Sequence, residues 1–198
     1  VTFWTATNIY VTPTTLGAIT MNFLMSLSGG LMAGYLISKG DPFWTYSSGL
    51  AGIICASAGN DLYHPIQSFI IAMVGVWVAY KLHYWVERKF KIDDAVGAVA
   101  VHGYAGVVGL IICGFVLWGY PSSGYDGLGY AAINPVGMII GAFIMFVVLG
   151  FIPGWVIAKV LHGMGKLRIP REVELAGLDY NIMEAASKDE KSVSSANR

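Results

Sequence analysis

One ionisable side chain stands where apolar residues surround it on both sides. His102 lies eight residues beyond Asp94, and from Ala95 to Ala158 the only other formal charge is Asp126. If the helix opens at the aspartates, His102 sits roughly 12 Å into a hydrocarbon layer about 30 Å thick. A group of this kind at that depth is costly and usually faces a cavity or a bundle interior. Imidazole is also the side chain whose charge changes nearest neutral pH, so it can hold or pass a proton. Gly106 and Gly109 follow at four and seven residues, which puts both on the His102 face of an α-helix. Two readings stay open. The glycines let a neighbouring helix pack closely while His102 bonds to it, or they leave room for a small molecule beside the ring.

The other histidines read as interfacial or solvated. His64 falls in a loop, His83 near the end of the third apolar stretch and His162 near the end of the fifth. Cys55 and Cys113 sit inside apolar segments without a CxxC or other metal spacing, and read as buried free thiols. No metal or cofactor is expected.

The elements that must position His102 are membrane helices. The chain has 198 residues, 56% hydrophobic and only 12% charged, against about 25% charged in ordinary soluble domains. Val1 to Ser38 carries no charged side chain. A net charge of zero excludes bulk attraction to nucleic acid. A spanning helix needs roughly 20 apolar residues, and five segments meet or approach that: 14–38, 44–58, 66–86, 95–118 and 135–161. The second is short and rich in small residues, so it needs neighbours. Val1 to Tyr10 is an aromatic-rich piece read as the end of a preceding helix. Lys39 to Pro42, Gly59 to Asp61 and Pro121 to Gly129 carry turn signals. Asp93 and Asp94 stand where a helix cap is wanted. The resulting class is an all-α integral membrane protein with about five transmembrane helices.

With five spans, all twelve Lys and Arg residues fall on one side and none on the other. The positive-inside rule makes that side cytoplasmic, together with the C-terminus. Residues 1–165 form the membrane domain and 166–198 a polar cytoplasmic tail, whose last part, from Ala186, reads as disordered. The first residue is Val, and no signal peptide precedes the first apolar run. The expectation is a longer protein whose N-terminal part is not in this sequence.

Two stretches carry a resemblance. Asp93 to Gly109 (DDAVGAVAVHGYAGVVG) resembles the signature of the ammonium transporter family (Amt/Mep, related to Rh proteins), in which a pair of aspartates opens the tenth of eleven helices. Leu167 to Asn181 (LRIPREVELAGLDYN) resembles the family's cytoplasmic tail. The chain is thereby similar to the C-terminal half of a member, from the end of helix 6 through helix 11 and the tail, which is the second of two inverted repeats. The resemblance implies that His102 is the second pore histidine and lines the pore or relays a proton. It implies a vestibule role for Ser57, where many members have Thr followed by Pro; here Ala58 follows. Gly177 and Asp179 become the regulatory tail residues. Ammonium would be collected outside, lose its proton at the pore entrance and pass as ammonia through a His-lined apolar pore. The implied partners are the missing half, a homotrimer, a PII-type regulatory protein at the cytoplasmic face and the lipid bilayer, with bacterial inner membrane as the location. This is transport and not enzyme chemistry. The alternative is a non-conducting ammonium sensor or assembly subunit. A haem protein would need a second deep histidine, and a water channel would need Asn-Pro-Ala, whereas Val136 follows Asn134-Pro135.

Overall fold

A computed structural model describes residues 16–120 and 132–177. The aromatic piece before Thr14, the Pro121 to Gly129 loop, Asp179 and the tail from Ala186 lie outside them. The described residues fall into two compact units, one ending at Val148 and the other beginning at Leu149.

In the first unit, α1 (Leu16–Ser38) has no charged residue, and apart from Ile19 its buried side is polar or small: Asn22, Ser26, Gly29, Gly30, Ala33 and Gly34. Small residues are what membrane helices use to bring backbones together. A β-carbon on Gly30 would stand 2.3 Å from the Ser48 carbonyl oxygen of the next helix, so the approach there is backbone to backbone. That helix, α2 (Pro42–Ala56), starts at Asp41, whose side chain accepts from the Trp44 N–H, with Pro42 in the first turn. Its 15 residues span roughly 22 Å, less than a bilayer core. It lies against α1, α3 and α4, which supply the neighbours such a short segment needs. A 3-10 turn, Ser57–Gly59, ends it. The Asn22 amide then donates to the Asn60 and Tyr63 carbonyls at 2.8 and 2.6 Å, fastening this turn to α1.

α3 (Pro65–Phe90) opens with a reciprocal cap between His64 and Gln67 and closes at Lys91 in the left-handed conformation. The fourth span, Val99–Val116, begins with a π-wound segment, Val99–Tyr104, and continues as α4 (Ala105–Val116). The sequence placed its start near Ala95. Residues 95–97 instead form a turn, with Gly97 at φ +65°, and the chain is helical from Ala98. His102 therefore sits about one turn inside the helix, and the eight-residue count overstates the rise between the cap and the ring. α5 (Pro135–Phe143), capped by Asn134 on the Gly137 N–H at 2.7 Å, leads into a second π segment, Ile144–Phe151.

In the second unit, α6 (Ile152–Gly163) is followed by the short α7 (Arg171–Ala176). Within the unit Lys159 lies over the Trp155 ring, and Arg168 pairs with Glu174.

Among the described residues every regular element is a helix, and four are long and apolar enough to cross a membrane: Leu16–Ser38, Pro65–Phe90, Val99–Val116 and Pro135–Gly163. α2 falls short of that length. Only 6% of the most apolar 18-residue window of the last of the four is buried.

Candidate pore-wall site

The site is built from its helix cap upward. Asp94 accepts from the Val99 N–H through Oδ1 at 3.2 Å and from the Ala100 N–H through Oδ2 at 3.0 Å. These are donors that the first turn of a helix leaves unpaired. The capping falls to Asp94, while Asp93 is exposed. Directly after the cap comes the π winding that carries His102. Such segments are rare, and they cluster at functional sites because the wider turn redirects side chains. Val101 and Gly103, on either side of His102, are buried, and His102 itself is exposed. A β-carbon on Gly103 would stand 2.8 Å from the Phe146 ring, so the first π segment rests on a side chain of the second.

The two glycines after His102 separate. A β-carbon on Gly106 would meet only Ile54, at 3.7 Å, so the surface beside it is open. Gly109 is buried, and a β-carbon there would lie 2.0 Å from the Cys55 carbonyl oxygen. Of the two readings left open for the glycines, close packing describes Gly109, where α4 meets α2, and this corrects a pore-side place for it. The path from His102 to Gly109 begins in the π-wound segment that ends at Tyr104, where α-helical spacing does not hold. Further along, the Cys113 thiol donates to the Ala58 carbonyl at 3.5 Å, and Gly114 packs against Pro135 and Met138.

Among the described residues no group of three or more His, Cys, Asp or Glu is arranged to hold a metal. Cys55 and Cys113 are both buried and free. Burial, and then the neighbouring Cys113 thiol, raise the Tyr63 phenol above its usual range, so it stays neutral.

A family model, the Ammonium Transporter Family, matches residues 2–187. The chain belongs to the ammonium transporter family. It is 32% identical over 176 residues to ammonium transporter Amt1 of Methanocaldococcus jannaschii, covering 89% of this chain and 43% of that protein. It is 26% identical over 177 residues to an ammonium transporter of Corynebacterium glutamicum, covering 81% of the chain and 37% of the relative. The chain thus spans about two fifths of the length of the curated relatives it matches. Among solved structures, one named a sensor Amt protein aligns with a TM-score of 0.61 at 23% identity, over 82% of this chain and 41% of that one. That likeness speaks to the all-helical membrane fold. The relatives are named as transporters, not enzymes.

For a family member the remaining positions fall as follows. Ser57 is exposed at the end of α2, its hydroxyl donating to the Ile53 carbonyl at 2.7 Å. His64 and His162 are exposed. Gly177 ends α7 with φ +88°, a conformation suited to glycine. His83 is a correction. The sequence reads it as interfacial or solvated, yet it is 6% exposed and lies edge-on to the rings of Trp44 and Tyr84 at 5.0 and 5.1 Å. Its Nε2 is 3.4 Å from Glu87 and its Nδ1 3.5 Å from Asp94, the carboxylate that caps the His102 helix. The i,i+4 spacing of His83 and Glu87 was a readable signal, but nothing local pointed to Trp44 or Asp94.

Proposed function

We propose that this chain forms one wall of an ammonium-conducting pore, with His102 lining it and able to hold or pass a proton. The observation that carries the reading is His102 itself, in a family member. It is exposed on a π-wound turn between buried residues, with the open surface of Gly106 one turn on. Carrying ammonium through hydrocarbon in charged form is expensive, and ammonia is cheap to move. Deprotonation at the entrance, passage as ammonia and proton relay by imidazole meet that constraint. The chain's length relative to its relatives supports a second half that covers the exposed His102 surface.

On this reading the ends of α1 and α3 that carry Lys39, Arg88 and Lys89 face the cytoplasm, as does the tail from residue 166. The one-sided distribution of all twelve basic residues supports this orientation, in a bacterial inner membrane. Assembly as a homotrimer and docking of a PII-type protein belong to the same proposal. The exposed Leu175 and the turn at Gly177, with Asp179 two residues beyond, are the surface the tail would offer. Ser57 at the end of α2 would face the outer vestibule.

The test is electrical and isotopic, on the transporter containing both halves. In reconstituted membranes His102→Ala should abolish proton-coupled current while the protein still inserts and folds. Unchanged current removes the relay role. Wild-type protein that binds methylammonium without taking it up would favour the sensor alternative.

A further inference from the structure

His83 is a buried imidazole that the transport reading does not use. Its position is unusual because each ring nitrogen faces a carboxylate: Nε2 faces Glu87 on the same helix at 3.4 Å, and Nδ1 faces Asp94 in the segment before the fourth span at 3.5 Å. Nδ1 makes no hydrogen bond. The rings around it, Trp44 from α2 and Tyr84 from α3, bond to each other, Trp44 Nε1 donating to the Tyr84 hydroxyl at 2.9 Å. Tyr80 packs on both of them. Lys81 and Arg88 flank a groove beside Tyr80 and Tyr84, and Asp41 caps α2 at Trp44. Among the described residues neither Asp94 nor Glu87 pairs with a lysine or an arginine, so His83 is the nitrogen-bearing side chain that faces both.

We propose that His83 is a positioning residue for His102, acting through Asp94. The chemistry follows from proton count. A neutral imidazole carries one N–H and one lone pair, so it can donate to only one of the two carboxylates and turns a lone pair on the other. An imidazolium donates to both. Asp94 Oδ2 already accepts from Ala100, and Oδ1 from Val99, at the start of the π segment. An N–H on Nδ1 turned to Asp94 fixes the carboxylate in the geometry that holds this start. Without that donor Asp94 is free to shift, and His102, two residues beyond Ala100, shifts with it. The effect on His102 rests on the pore reading above, whereas the clamp on the helix start stands without it.

The experiment is amide hydrogen exchange at Val99 and Ala100 in the reconstituted protein, corrected for intrinsic rate, in wild type and variants at one pH. His83→Leu, which removes the donor, should lose protection about fivefold, the worth of one net hydrogen bond, while amides from Gly109 to Val116 stay protected. His83→Gln restores an N–H donor and should recover much of that protection. Protection at Val99 and Ala100 that is equal in wild type and His83→Leu, or lost equally in both variants, overturns the clamp. In parallel, methylammonium uptake should fall in His83→Leu and recover in His83→Gln. Uptake unchanged in His83→Leu, or lowered equally in both variants, overturns positioning of His102. Absence of uptake in wild type counts against the pore reading instead, and the exchange data then decide the clamp alone.

Discussion

The two halves of the fourth span are made for different tasks. From Gly109 to Leu117 the helix is packing surface: Gly109 against the Cys55 carbonyl, Cys113 on the Ala58 carbonyl, Gly114 against Pro135, and Leu117 buried beside Gly59. From Val99 to Gly106 it is capped by a carboxylate, wound more loosely as far as Tyr104, and opens outward at His102 and Gly106. The anchored half needs glycine so that a backbone can touch a backbone. The open half uses glycine for the opposite purpose, to leave room. Residue type alone does not distinguish these uses; the neighbouring helix does.

Substitutions should break this contrast in graded fashion. The largest effect is expected from Gly109→Val, which forces side-chain atoms into the α2 backbone. It should cost about 3 kcal/mol or more, read as loss of folded protein in denaturant titration. Gly109→Val as stable as wild type would mean that α2 and α4 do not pack here. Asp94→Ala comes next. It strips two N–H groups of their acceptor and should cost about 1–2 kcal/mol, with exchange rising first at Val99 and Ala100. Cys113→Ala removes one weak thiol donor and should cost under about 1 kcal/mol by the same titration. Gly106→Ala should leave stability within about 0.5 kcal/mol, because Ile54 is its only near neighbour. If the open half lines a pore, this last variant should still slow methylammonium uptake, and equal rates would detach Gly106 from the pathway.

Much of the fold was legible because membrane helices announce themselves by length and apolarity. The four long spans, the short small-residue α2 and the capping aspartate all follow from composition and turn chemistry. The start of the fourth span was misjudged by three residues because Gly97 adopts a positive φ and extends the turn before the helix. The pairing of Gly109 with His102 was misjudged because face arguments assume 3.6 residues per turn, and no local residue preference marks a π winding. His83 was misread for another reason. Its surroundings come from Trp44, some forty residues earlier, and from Asp94 across a chain reversal, so its burial is a property of tertiary packing. Its place near the end of the third apolar stretch suggests an interfacial or solvated residue.

The loose winding around His102 takes in about one residue more than an α-helix would over nearly the same rotation. Removing one residue between Ala98 and Gly103 would let the coil tighten to ordinary pitch while Asp94 kept its place at the helix start and Gly109 its place against α2. Only the turn that presents His102 would change. The extra residue adjusts where the imidazole points and leaves the anchoring of the helix ends as it is.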